Sequence, residues 1–300
     1  MKKEVLFAII AGSILGLIIA FGIWKVNSAL RLRSDQDNKT SQTSPPPKEE
    51  FGITLANVDN LNVVGVSPFT LKGITKPEVW LITSTQEKDY LTTSDKKGEF
   101  AQEVNFLGGI NSLVFTAIEK DGKTAVTKLS LVYSTQLEAE EPTQITPKAV
   151  VGVVTDISES SIQLKDEKGE IKQISSENPD QITVVRSEKT GKEMALKDIA
   201  IGDYLVAMGY LSKNGNGGVL LAKRILITQP VSPIPVEITM GAIEKITPKD
   251  ITVKGNTYAI KKDTKIKLSD LEEGQNIILV SLKKDDIPTI RTVFQLPNSD

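Results

Sequence analysis

The sequence predicts a mainly β chain behind one N-terminal transmembrane helix, with a β-sandwich followed by two copies of a small five-stranded, barrel-like unit. Three observations predict this. Residues Val5 to Trp24 form an uncharged apolar run of 20 residues. Short runs between Gly52 and Thr135 alternate apolar and polar residues with period two, the signature of strands. A block of sequence then occurs twice between Val150 and Leu296.

The apolar run comes first. At about 1.5 Å per residue it spans the roughly 30 Å hydrocarbon core of a bilayer. A signal peptide normally has a shorter apolar region of about 7 to 15 residues. Residues 1–27 therefore read as an uncleaved anchor with the transmembrane segment at 5–24, the alternative being cleavage before Ala29, where Val26 and Ser28 supply small-residue positions. Within the span Ala8, Gly12, Gly16 and Ala20 recur every four residues, a stripe that would let two helices approach closely as a homodimer. The plain alternative is that Gly and Ala are common in any transmembrane helix. Residues 28–51 follow as a Ser/Thr/Pro tether containing Pro45, Pro46 and Pro47, polar enough to stay disordered, with a root-mean-square reach of roughly 25 to 30 Å.

Composition narrows the chemistry. With 300 residues and 39% hydrophobic content, the chain is long enough for two or three domains. The 36 Lys and Arg and 38 Asp and Glu are interspersed, so no basic nucleic-acid footprint arises. Cys and His are both absent, which removes disulfides, thiolate and imidazole metal ligands, Cys nucleophiles and the usual neutral-pH general base. Catalysis would need a carboxylate pair, a Ser-Lys dyad or an all-oxygen metal site, and no spacing in the sequence meets such a demand. The reading is a protein without catalytic residues and without a cofactor.

In residues 52–135 the strand runs are Phe69 with Leu71, Val79 to Ile82, Phe100 to Phe106, Leu113 to Ala117 and Leu129 to Tyr133. Turn chemistry separates them at Lys76-Pro77, Asp95-Lys96-Lys97-Gly98, Gly108-Gly109 and Asp121-Gly122. About seven strands in this length suggest a sandwich. Asp95 with Glu99, or Asp121 with Glu119, offers oxygen donors of the kind calcium takes, but Lys96, Lys97 and Lys120 oppose a dication and favour solvated turn residues. Trp80, on a strand run, reads as core.

Ser67-Pro68, Leu71-Lys72-Gly73-Ile74-Thr75-Lys76-Pro77, Val79, Asp95, Gly98, Phe100, Gly109, Asn111 and Asp121-Gly122 resemble the bacterial immunoglobulin-like modules of cell-surface and polysaccharide-associated proteins. These are turn and core positions, so the resemblance implies a fold and the class of spacer, adhesion or accessory domain.

After a linker at 136–148, Gly152 to Leu164 aligns with Gly241 to Val253, and Leu196 to Asp203 aligns with Leu268 to Gln275. Two units follow, at 149–229 and 237–297, joined by the Pro-rich segment 230–236. Five short strands in 60 to 80 residues fit a small closed barrel. An opening Gly-apolar-apolar hairpin and a later Asp-Leu-x-x-Gly-Asp turn resemble a family of small β-barrel domains of unknown function in bacterial envelope proteins. The first copy keeps Gly202-Asp203 where the second has Gly274-Gln275, so the resemblance implies a shared fold and no shared site.

Barrels of this size bind oligonucleotides or oligosaccharides through stacked aromatics. Between Val150 and Asp300 the aromatics are Tyr204, Tyr210, Tyr258 and Phe294, and Tyr204 and Tyr258 read as core. The Pro-rich joints lead one to expect three separable folding units, the last being the most marginal. Lys2 and Lys3 before the span balance Lys25, Arg31 and Arg33 after it. The N-terminal position of the span and the envelope resemblance place the N-terminus in the cytoplasm and the β domains outside. The expected role is a single-pass, non-catalytic surface protein acting as structural, spacer or adhesion module. The alternative is an accessory binding subunit of an envelope assembly that recognises a peptide or glycan. The partners are the membrane and another envelope protein or cell-wall glycan, with no nucleic acid.

Overall fold

The computed structural model describes residues 51–137, 146–175, 182–186, 192–212, 218–261, 264, 267–283 and 287–297. The span at 5–24, its Ala8, Gly12, Gly16, Ala20 stripe and the tether at 28–51 lie outside these residues. Among the described residues no helix is long and apolar enough to cross a membrane. The chain divides into two compact units, Met1–Glu50 and Phe51–Asp300, and all that follows concerns the second.

That unit is mainly β. Eight strands come first: β1 Thr54–Leu55, β2 Val63–Val64, β3 Phe69–Ile74, β4 Trp80–Ser84, β5 Asp89–Thr93, β6 Glu99–Val104, β7 Gly109–Ile118 and β8 Thr124–Tyr133. They form a three-stranded sheet β1-β3-β6 and a five-stranded sheet β2-β8-β7-β4-β5. Leu71, Phe100 and Val104 from the small sheet meet Leu81, Leu113, Phe115, Ala117, Leu129 and Leu131 from the large one in a single core. Alternation fails on β7, where residues facing both ways are buried from Asn111 to Ile118. A strand buried on both faces belongs to a sheet covered on both sides.

The second region holds β9 Lys148–Ile157, β10 Ser161–Lys165, β11 Ile171–Ser175, β12 Thr183–Arg186, β13 Lys192–Met194, β14 Tyr204–Leu211 and β15 Leu220–Thr228, with a 3-10 turn at Leu196–Asp198. The third holds β16 Val236–Ile246, β17 Asp250–Val253, β18 Asn256–Ala259, β19 Asn276–Leu282 and β20 Thr289–Gln295, with a 3-10 turn at Leu268–Asp270. The third closes as the barrel β16-β17-β18-β20-β19. The second closes in the same order, β9-β10-β11-β15-β14, and in each the closing pair is parallel, β11 with β15 and β18 with β20. Strands β12 and β13 are an added hairpin of the first copy, laid parallel along β15.

The duplication extends to the interior. Val154, Ile162, Leu164, Ile174, Ile199, Leu205 and Ala207 fill the first barrel, and their equivalents Ile243, Ile251, Val253, Tyr258, Leu271, Ile277 and Leu279 fill the second. The turn that differs in sequence is built alike. Asp203 Oδ2 accepts from the Ala200 amide at 2.9 Å, and Gln275 Oε1 accepts from the equivalent Glu272 amide at 3.3 Å. The carboxylate-for-amide change therefore preserves one turn bond.

The opening glycines are not equally constrained. A Cβ on Gly152 would lie 2.4 Å from the Lys165 carbonyl oxygen, whereas on Gly241 its nearest neighbours would be side-chain atoms of Val253 and Lys254, from 3.1 Å. Backbone cannot withdraw as a lysine side chain can. Gly152→Ala should cost about 2 to 3 kcal/mol in urea melts, and Gly241→Ala less than about 1 kcal/mol. Equal losses would contradict the difference in packing.

Candidate functional site at the sandwich and barrel junctions

The two barrels, packed on the outer face of the five-stranded sheet, supply the second cover that β7 requires. At one side Val63, Val132 and Ile110 of the sandwich pack with Ala149, Val151, Tyr204, Val206, Met208 and Leu226 of the first barrel. At the other, Trp80, Ile82, Leu91 and Ile118 pack with Val236, Ile238, Met240, Ile278, Val280, Phe294 and Leu296 of the second. The docking residues are equivalent in the two copies: Ala149 and Val151 match Ile238 and Met240, and Val206 and Met208 match Ile278 and Val280. Leu226 pairs with Val206 as Phe294 pairs with Ile278. Both barrels thus present the same three outer strands to one sheet. Apolar clusters cross both joints between the units expected at 52–135, 149–229 and 237–297.

Polar chemistry differs between the junctions. At the first, the main chain continues from sandwich to barrel: Val63 N donates to Pro147 O at 3.0 Å and Ala149 N to Leu61 O at 2.8 Å. Lys148 Nζ donates to Asn62 Oδ1 and lies 3.3 Å from Asp59 Oδ2. At the second, Asp89 Oδ2 accepts from Thr292 Oγ1 at 2.6 Å and lies 3.2 Å from Arg291 Nε, with side-chain exposures of 0% for Asp89 and 12% for Arg291. Arg291 Nη2 also donates to Thr85 O at 2.5 Å. The other oxygen of Asp89, with Ser84 Oγ and Gln86 Oε1, is buried without a hydrogen-bond partner from the protein.

The residues singled out in the sequence fall elsewhere. Asp95 Oδ1 accepts from the amides of Lys97 at 2.8 Å and Glu99 at 2.9 Å, and Asp166 Oδ1 does the same for Lys168 and Glu170. Gly98 and Gly169 follow these at φ 84° and 82°, so the two hairpin turns share one construction. Asp121 holds the Lys123 amide at 2.9 Å, while Glu119 pairs with Lys76 at 2.5 Å. These carboxylates organise turns. Tyr258 lies in the second barrel's core, its hydroxyl 2.8 Å from Thr239 Oγ1. Tyr204 and Trp80 are packed in apolar clusters, as expected of core residues, and these clusters are the junctions.

Among the described residues, clefts open beside these junctions. One of about 360 Å³ lies between the start of the sandwich and Thr146-Pro147. One of about 1170 Å³ runs along β20 beside Lys88, Asp89, Lys261 and Lys267. One of about 220 Å³ separates Gly122 and Thr124 from Thr239 and Lys254. Among the described residues no group of three or more acidic side chains is placed to hold a metal ion.

No protein-family model and no curated protein matches the chain. Among solved structures it is similar to a tetra-tandem repeat in the extending region of a large adhesion protein, at 11% identity and TM-score 0.23 over 82% of this chain and 74% of that one. It is also similar to a Ca2+-stabilized adhesin that helps an Antarctic bacterium reach out and bind ice, at 15% identity and TM-score 0.20 over 82% and 71%. At these TM-scores neither protein's task transfers to this chain.

The junction residues carried a sequence signal. Leu205-Val206-Ala207-Met208 and Ile277-Ile278-Leu279-Val280 are unbroken apolar runs, which in a strand mean burial on both faces. The sequence does not say what covers the second face.

Two outcomes test this assignment. Burial, with a smaller contribution from the Glu167 carboxylate, pushes the Tyr204 phenol above its usual 10.0. The unfolded chain then loses this proton at lower pH than the folded one, so the stabilisation is complete below pH 10 and is lost as pH rises through the folded value. Tyr204→Phe should shrink the loss of urea stability between pH about 8 and about 11; an unchanged loss would count against burial of the phenol. Asp95→Ala should cost about 1 kcal/mol and Asp95→Asn less, since the amide oxygen can replace the carboxylate as acceptor.

Proposed function

We propose that the chain is a single-pass, non-catalytic surface protein whose β domains act as a structural, spacer or adhesion body outside the membrane. The observation that carries this reading is the consumption of apolar surface within the molecule: both barrels spend equivalent outer faces on one sandwich sheet. Such packing fixes domain orientation, which suits a part that works by position. The conspicuous turn carboxylates hold their own loops. The resemblances carried by Leu71 to Pro77 and by the Gly152 and Gly241 hairpins support reading the sandwich as immunoglobulin-like and the barrels as the envelope barrel of unknown function. Anchoring rests on Val5 to Trp24 and orientation on its N-terminal position. The alternative of an accessory subunit that recognises a peptide or glycan draws its support from the cleft of about 1170 Å³ beside β20.

The test is complementation of a deletion strain. Replacing Val5 to Trp24 with an unrelated transmembrane helix should preserve function, and removing residues 1–27 with secretion retained should abolish it. Full activity of the anchor-free form would overturn the positional reading. Loss of function from substitutions confined to Lys261 and Lys267, in stably folded protein, would favour the accessory reading.

A further inference from the structure

The two barrels dock through the same strands onto the same sheet, yet the second is held less firmly. In the first junction Ala149, Val151, Tyr204, Val206, Met208 and Leu226 are all buried, and two main-chain hydrogen bonds cross from sandwich to barrel. In the second, Ile278, Val280 and Leu296 are buried, while Val236, Ile238, Met240 and Phe294 remain partly exposed. No main-chain hydrogen bond among the described residues joins the sandwich to the second barrel. The bonds that do cross converge on Asp89, Thr85, Arg291 and Thr292.

A buried ion pair returns little net stability, because desolvation of both charges offsets their attraction. Here three buried oxygens beside it, on Ser84, Gln86 and Asp89, find no hydrogen-bond partner in the protein, and each such group adds a desolvation cost to the docked state. Clefts of about 1170 Å³ and 220 Å³ flank the contact and admit water to its margins. The second barrel, by contrast, is a closed ring around its own core, so it keeps its hydrogen bonds when it leaves. The segment that tethers it, Gln229 to Pro235, contains Pro230, Pro233 and Pro235 and forms no strand.

We propose that the second barrel is a detachable latch: it leaves the sandwich before the sandwich and first barrel come apart, and in leaving exposes Trp80, Ile82, Leu91 and Ile118. The Asp89–Arg291 pair sets how often this happens. Removal of one partner strands the other charge, so undocking becomes far more frequent without loosening the first junction. The fixed orientation invoked for the surface role above then rests on the first junction, and failure of the latch leaves that role standing.

The absence of cysteine makes the test direct. Three full-length variants carry one thiol each: Ile118→Cys at the second junction, Val132→Cys at the first and Leu113→Cys in the sandwich core. Pulsed alkylation in increasing urea should label Ile118→Cys while Val132→Cys and Leu113→Cys remain protected. Adding Asp89→Asn should accelerate labelling of Ile118→Cys by roughly 100-fold and leave Val132→Cys unchanged. Simultaneous labelling of all three thiols, or equal acceleration of all three, would overturn the latch. If Asp89→Asn prevents folding, the labelling order in the three single-thiol proteins still decides.

Discussion

A five-stranded sheet with two apolar faces is the constraint from which the rest of the described structure follows. One face of β2-β8-β7-β4-β5 closes the sandwich core against β1-β3-β6. The other carries Val63, Ile82, Ile110, Ile118 and Val132, which in a free sandwich would meet water. Fully burying each such side chain is worth roughly 1.5 to 3 kcal/mol, so a bare sheet would be both unstable and prone to associate. The two barrels are the cover, and the domains are bound to each other by the needs of the sheet they share.

Duplication supplied that cover economically. The interiors of the two barrels correspond position by position, as does the outer face through which each docks. Because the docking strands are equivalent, each copy covers its own part of the same apolar sheet. The copies differ in polar details. The first junction has main-chain continuity through Leu61 to Val63 and Pro147 to Ala149, whereas the second relies on Asp89 meeting Arg291 and Thr292. Equivalent surfaces thus became unequal attachments.

The same accounting explains why prominent side chains are structural. Asp95 and Asp166 satisfy amides that a tight hairpin leaves unpaired, and Asp203 and Gln275 do so before β14 and β19. An acid whose oxygen is engaged by its own loop has less capacity for a ligand. Lys76 with Glu119 joins two sandwich turns with about one-third of the lysine side chain exposed, a position where ion pairs contribute little.

The sequence by itself determined the mainly β class, the turns and the duplication. Period-two alternation from Phe69 to Tyr133 and turn dipeptides such as Asp121-Gly122 act locally, through side-chain direction and backbone conformation, and need no distant partner to be read. The repeated Gly152 and Gly241 blocks likewise announced two like units. Short strands such as β1 and β2, with two residues each, had no periodicity to detect. The β12–β13 hairpin of the first barrel, with strands of four and three residues, is nearly as short. What only the tertiary structure decided is which apolar run covers which. Leu205 to Met208 and Ile277 to Val280 reveal in the sequence that both faces of a strand are buried, but hydrophobic attraction has no direction and names no partner. The pairing of Asp89 with Arg291, 202 positions apart, is invisible until the fold brings β5 and β20 together. Tyr204 and Trp80 read as core for the right physical reason, their apolar bulk. Their place at the junctions was set by the sheet's second face.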